Sequence, residues 1–395
     1  MMNQEILDDA VQNYINLNLI GDVNKIALSK SPFKNISAAE VANQISAKKK
    51  AEKKLPTWFS TAKIYYPSTL SIEQTSSEVT AKYKSKLAKG DTLIDLTGGF
   101  GIDAYYFSKT VPKVTHCEIN QDLSAIGKHN AECLVVKNIN FQAVNGLEYL
   151  ENNQLTYDTI YIDPARRAEK GKVFLLKDCT PDVISNFDKI ISRSERLIIK
   201  TAPLLDISAG LSELKWVSEI HILSVKNECK ELVWVIDKNF KGSTKIIAVT
   251  LNEIEKEFSF LLNDINTNAV YADEITLNTY IYEPDAALLK SGAFNLIGVK
   301  YDLKKLHQQT QLYVSQKIEQ TFPGRIFKIK SIIKGNELKK QKELSGNVIV
   351  RNYPAKAEEL VKKFKIKSEK DAFLIFTKNL QNELIIISAE IVQYY

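Results

Sequence analysis

Apolar and polar positions follow two rhythms along this chain. Up to about residue 66 the apolar residues recur at helical spacing. QEILDDAVQNYI shows it near the start, and SAAEVANQISAKKKAEKKL opens with Ser37-x-x-Glu40, a capping-box pattern. Pro56 and Pro67 punctuate the stretch, and SIEQTSSEVTAKYKSKLAKG predicts one further helix stopped at Gly90. Short apolar runs follow at residues 92–97, 113–119, 139–144, 157–163 and 196–202, separated by helix-patterned segments such as NQDLSAIGKHNAECL and TPDVISNFDKIISRS. Apolar strands alternating with helices predict a parallel sheet covered on both faces. The pair 216–225 and 231–237 departs from this, because only KNECK separates the two runs. A parallel crossover needs about a dozen residues or more, so this pair is predicted to be an antiparallel hairpin. Beyond residue 240 the pattern is α+β. STKIIAVTL reads as a strand, and DAALLKSGAFNLIGV and KKLHQQTQLYVSQKIEQ read as helices. NVIVRNY, AEELVKKFKI, AFLIFTK and ELIIISAEIV read as strand, helix, strand and strand.

Composition narrows the class. A chain of 395 residues, 44% hydrophobic and 25% charged, has room for two or three globular domains. No apolar run approaches the ~18 residues of a membrane span, and MMNQEILDDA does not have the form of a secretory signal, so a cytoplasmic location is expected. Four scattered cysteines and four scattered histidines form no metal-ligand pattern, and neither a phosphate-binding P-loop nor a serine nucleophile elbow is present. The net charge of +6 is unevenly placed. Residues 325–370 hold 14 Lys and Arg against 5 Asp and Glu, and KKKAEKK at 48–54 adds five lysines against Glu52. Such concentrations fit either a solvated face or a surface for a polyanion.

Candidate chemistry begins at DLTGGFGIDA, residues 95–104. Gly99-x-Gly101-x-x-Ala104 matches a loop that lets backbone approach a dinucleotide pyrophosphate. Asp95, however, would oppose a pyrophosphate, and a dinucleotide-binding sheet would continue in parallel strands rather than a hairpin. Asp95, Gly98, Gly99 and Gly101 instead resemble motif I of AdoMet-dependent methyltransferases, D-x-x-G-G-x-G, whose ligand carries a cationic sulfonium and ammonium; a tight turn capped by Asp95 is the plainer alternative. Glu118 ends the second run, where an acid can accept hydrogen bonds from ribose hydroxyls. Asn145 and Gly146 follow the third run, where methyltransferases commonly place an Asp for the adenine amino group; asparagine keeps the acceptor oxygen, and an ordinary turn fits equally. Asp163-Pro164-Ala165-Arg166-Arg167 ends the fourth run. It resembles the D/N-P-P-Y/F motif of amine-methylating enzymes, in which the acid and a backbone carbonyl accept amine protons. Ala165 replaces the second proline and Arg166 the aromatic, and a guanidinium can stack on a base or hold a phosphate. The hydroxyls of Gln74–Glu78 either cap the next helix or close over the methionine end of a cofactor.

The whole chain resembles bacterial class I methyltransferases with a THUMP-like C-terminal domain. Beyond DPARR, the likeness is carried by AKKKAEKKLPTWFSTAKIYYPSTLSIEQTSSEVTAKYK, SVKNECKELVW, YIYEPDAALLKSGAFNLI and NVIVRNYPAKAEELVKKFKI. The resemblance implies an α/β, Rossmann-like class I sheet in the order 3-2-1-4-5-7-6 with an antiparallel final hairpin. It implies an N-terminal helical domain (1–75), a methyltransferase domain (76–240), a connecting and ferredoxin-like segment (241–324) and a THUMP-like domain (325–395). It further implies S-adenosyl-L-methionine bound by Asp95, Gly98, Gly99, Gly101, Glu118, Asn145, Gly146 and Asp163, with Asp163, Pro164 and Arg166 catalytic and no metal. The substrate expected is structured RNA, tRNA or rRNA, held through the Lys-rich segments 48–54 and 325–370. An RNA-binding protein on an inactive scaffold, and a methyltransferase of proteins or small molecules, are the alternatives.

Overall fold

In a computed structural model, which describes residues 2–166, 175–277, 279–335, 337–338 and 343–395, the apolar runs become strands. These are β1 (Thr92–Asp95), β2 (Lys113–Cys117), β3 (Ile139–Gln142), β4 (Tyr157–Ile162) and β5 (Ser194–Thr201). Their mutual ladders are all parallel. The central runs, such as Ile160–Ile162 and Leu197–Ile199, are buried as strands covered on both faces should be. β6 (Val217–Val225) and β7 (Glu228–Asp237) are joined by Lys226 and Asn227 alone, both at positive φ. A two-residue link of that kind turns the chain back antiparallel. β8 (Lys245–Leu251) runs parallel to β6 and antiparallel to β9 (Glu255–Leu261). The order across the sheet is β3-β2-β1-β4-β5-β7-β6-β8-β9, so the expected 3-2-1-4-5-7-6 is present and two strands extend it.

The chain divides into two compact units, residues 1–218 with 233–241 and residues 219–232 with 242–395. In the first, the long helix Ala38–Lys54 starts at the predicted Ser37–Glu40 capping box. Ile45, Trp58 and Tyr66 from the N-terminal part share one core with Phe100 and Ile102, so the helices before the sheet pack on the turn that follows β1. The single helix expected over 71–90 is instead two, Thr69–Gln74 and Glu78–Ser85. Ser77 Oγ accepts the Thr80 N–H and starts the second, which is why the serines mark a break.

The second unit is built on a seven-stranded sheet. Its strands are β10 (Tyr280–Pro284), β11 (Lys304–His307), β12 (Thr310–Ser315), β13 (Gly324–Lys334), β14 (Asn347–Val350), β15 (Ala372–Lys378) and β16 (Leu384–Gln393), in the order β11-β12-β10-β13-β16-β15-β14. β14 and β15 are parallel, linked through the helix Ala357–Phe364, whose Leu360 is buried against Leu374 and Phe376. KKLHQQTQLYVSQKIEQ is therefore a hairpin and not the helix its composition suggested. Leu306, Leu312 and Val314 alternate onto the face of Ile281 and Phe327, while the Tyr313 hydroxyl donates to the Phe294 carbonyl. DAALLKSGAFNLIGV is two helices, Ala286–Ser291 and Phe294–Lys300, parted at Gly292 with φ +73°. SVKNECK and EPDAALLK meet in space: Asn227 Oδ1 accepts the Ala286 N–H at 2.9 Å and Ser224 donates to Asp285. Among the described residues no helix is long and apolar enough to cross a membrane.

Candidate functional site

The turn after β1 is shaped by its glycines. Gly99 and Gly101 hold φ of +56° and +86°, which side-chain-bearing residues rarely adopt. Gly98 is required for a different reason: a Cβ there would stand 2.2 Å from the imidazole of His116 in β2. His116 is fully buried, and burial lowers its pKa to about 4, so the ring beneath the turn is neutral.

Asp95 lies at the tip of β1 and is 1% exposed. Its carboxylate accepts the Thr97 N–H at 2.9 Å. Burial pushes its pKa well above the ordinary range, and Asp103, Asp163 and Glu118 push the same way against the hydrogen bond from the Thr97 N–H. Among the described residues no lysine or arginine pairs with it. At the adjacent tip, Glu118 accepts the Gly99 N–H on Oε2 and the Asn120 N–H on Oε1, both at 2.8 Å. Each oxygen keeps a second lone pair. Ile119, next along, is 69% exposed.

Asp163 is at the end of β4. Its N–H donates to Thr97 Oγ1 at 2.7 Å and its Oδ2 meets Lys200 Nζ of β5 at 2.6 Å. Thr97, through its N–H on Asp95 and its hydroxyl on Asp163, ties the two acids together. Pro164 is buried, and Ala165–Arg166 form a short antiparallel ladder with Cys179–Thr180. The Arg166 side chain and Arg167 lie outside the described residues. Behind the turn, Asp103 is joined to Lys84 Nζ (2.9 Å), Ser76 Oγ (2.9 Å) and the Tyr161 hydroxyl (2.9 Å), and Lys84 is fully buried. Burial alone would raise the Asp103 carboxyl, but the charges of Lys84 and Lys200 outweigh it and hold the group below its usual range.

Asp95, Gly98, Gly99, Gly101, Glu118 and Asp163 thus gather around one strand-tip corner. Asn145 stands differently: its side-chain oxygen accepts the Leu147 and Glu148 N–H groups at 3.0 and 3.4 Å and caps the helix Gly146–Asn152. Gly146 is a close-packing glycine, since a Cβ would fall 2.3 Å from the Leu96 carbonyl oxygen. Sequence inspection missed Thr97, Lys84, Asp103 and Lys200. Lys200 alone had a signal, as the one charge inside the apolar core of RLIIKTA.

The basic segments are less free than their composition suggests. Lys48 is buried and donates to Asn16 Oδ1, Lys50 pairs with Glu73, and Lys54 donates to the Glu73 carbonyl; Lys49 and Lys53 are exposed. Arg325 and Arg351 both grip buried Glu283, and Lys330 pairs with Glu390. Lys362, Lys363, Lys365, Lys367 and Lys370 are exposed on and after the helix Ala357–Phe364. No group of residues suited to a metal ion occurs among those described.

Residues 280–323 match a ferredoxin-like domain family, and residues 324–390 a family described as THUMP domain-like. The chain is similar over its whole length to a candidate methyltransferase of known crystal structure from Porphyromonas gingivalis W83, with 29% identity, a TM-score of 0.87 and all of both chains covered. It is also 30% identical over 95 residues to an uncharacterised RNA methyltransferase of Mycoplasma mobile. That match spans 24% of this chain and about a quarter (26%) of the length of the relative.

Proposed function

We propose that this chain, which resembles the bacterial class I methyltransferases with a THUMP-like C-terminal domain, methylates a nucleoside of structured RNA, tRNA or rRNA, using S-adenosyl-L-methionine. One observation carries the cofactor assignment: a buried acid, Asp95, sits at a glycine turn with no cation of the described residues against it. Such a charge is costly unless paired, and a cationic ligand supplies the missing partner. The fit extends to its surroundings. Gly99 leaves backbone accessible, with nothing nearer than 3.8 Å where a Cβ would stand, and Glu118 keeps lone pairs for two hydroxyl donors. Exposed Ile119 offers an apolar surface to a purine.

The cofactor supplies a methyl group on a positively charged sulfur. Asp163 and the Pro164 carbonyl would orient an acceptor N–H, in the manner of the motif they resemble, and orientation of this kind is the main source of acceleration for a displacement. Exposed lysines at 362–370 favour a phosphate backbone as partner. Calorimetric titration with S-adenosyl-L-methionine tests the first half, and the absence of binding at millimolar concentration refutes it. Nucleoside mass spectrometry of total RNA from cells with and without the gene tests the second: loss of one methylated nucleoside identifies the product, and unchanged RNA refutes an RNA substrate.

A further inference from the structure

Lys200 interrupts a strand whose preceding three residues, Leu197, Ile198 and Ile199, are completely buried. Ile162 of β4 pairs with Ile199 of β5, so Asp163 and Lys200 leave the sheet side by side. Ordering a lysine there costs side-chain entropy besides its hydration. What it meets is Asp163 Oδ2 at 2.6 Å, the two side chains being 15% and 30% exposed. The backbone N–H of the same aspartate is fixed on Thr97 Oγ1. Two points are therefore held, and Oδ1 alone remains without a partner among the described residues.

The surrounding charges explain why a cation is needed. Asp163 faces Asp95 of β1, whose carboxyl also feels Glu118 after β2 and Asp103 of the helix Ile102–Phe107; Lys84, from the helix Glu78–Ser85, is on Asp103. Among the described residues, Lys200 on Asp163 and Lys84 on Asp103 are the cations paired within this group of four carboxylates, so loss of Lys200 would leave Asp163 Oδ2 without the group that fixes it.

We infer that Lys200 is a positioning residue for methyl transfer, fixing Oδ2 of Asp163 so that Oδ1 receives the N–H of the acceptor nitrogen. This rests on the methyltransferase function proposed above. As the nitrogen lone pair forms the new N–C bond, the C–S electron pair passes to sulfur and the nitrogen becomes cationic. A carboxylate on its N–H stabilises that charge before the proton leaves to water.

The test uses the full-length protein, RNA from cells lacking the gene, and methyl-tritiated S-adenosyl-L-methionine. Lys200→Met is expected to stay folded at the assay temperature and to keep its cofactor Kd within twofold while kcat falls roughly a hundredfold. Lys200→Arg, which returns a cation to Asp163 Oδ2, should restore at least about tenfold of the loss. In an Asp163→Asn background, adding Lys200→Met should cost less than about threefold, because the lysine acts through the carboxylate. A Lys200→Met enzyme with wild-type kcat overturns the inference. So does one that loses cofactor binding, or one whose penalty adds in full to that of Asp163→Asn. A wild type that binds the cofactor but labels no RNA overturns the RNA reading together with it, whereas failure confined to the Lys200 variants leaves that reading standing.

Discussion

Replacing Asp95 by asparagine separates the cost borne by the fold from the benefit to the ligand. Asparagine keeps the shape and the oxygen that accepts the Thr97 N–H at 2.9 Å, and removes only the charge. In the free protein the Asp95 carboxyl is raised chiefly by burial, then by Asp103, Asp163 and Glu118. The sign follows from linkage: an acid whose folded pKa exceeds its unfolded value destabilises the fold as pH rises from the unfolded to the folded pKa, and the full penalty persists above both. Each unit costs about 1.4 kcal/mol. Asp95→Asn should therefore stabilise the ligand-free protein at neutral pH by on the order of 1–3 kcal/mol, the usual cost of an uncompensated buried group. For a unit of about 200 residues that is roughly 2–4 °C in Tm per kcal/mol. Binding should move the other way. Loss of a charge-assisted interaction of about 1.5–3 kcal/mol weakens S-adenosyl-L-methionine by roughly 10–150-fold. Thermal melts with and without cofactor, together with calorimetric Kd values, measure both. A variant that melts lower than wild type and binds the cofactor equally well refutes the argument, and would make Asp95 a cap of the turn.

Other consequences can be measured on the same protein. Because a proton on the raised Asp95 carboxyl competes with a cationic ligand, cofactor affinity should weaken as pH falls, and titrations in two buffers of different ionisation heat should show proton release for wild type and none for Asp95→Asn; equal behaviour of the two would contradict this. Lys84→Met leaves Asp103 buried and without its cation, and urea melts should show a loss of about 3–5 kcal/mol, largely recovered in Lys84→Met/Asp103→Leu. The contribution of that pair is present above the unfolded pKa of Asp103 and disappears as pH falls through its lowered folded value, so the gap between wild type and Lys84→Met should narrow in acid. In tRNA gel shifts, Lys362→Glu/Lys363→Glu/Lys367→Glu should lower affinity and flatten the salt dependence by about one unit of slope for each phosphate no longer neutralised. Lys50→Ala, whose lysine is paired with Glu73, should leave both unchanged.

What the chain disclosed in advance depended on whether a residue's role is local or comes from a distant partner. Strands β1 to β5 were legible because parallel strands covered on both faces appear as unbroken apolar runs, and the hairpin β6–β7 because five residues leave no room for a crossover. Gly99 and Gly101 were legible for a similar reason, since the backbone conformation at that site restricts the residue type. β11 and β12 misled because Gln308 and Gln309 carry no turn signature. The turn is secured by His307 Nδ1 accepting the Gln309 N–H and by Asn352, 45 positions later, donating to the same ring nitrogen. Asn145 left two readings open, because an amide that caps a helix and one that binds a ligand look identical in sequence, and the fold shows the cap. Lys84 was one lysine in AKYKSK until the fold placed Asp103 beside it, and Lys200 acquires its meaning from Asp163, 37 positions away. The acids and glycines of this corner can thus be proposed from order alone, whereas the cations that set their charge state emerge only from the packing of neighbouring elements. The electrostatic balance at the strand tips, on which transfer to a neutral nitrogen would depend, is consequently a property of the fold rather than of any one motif.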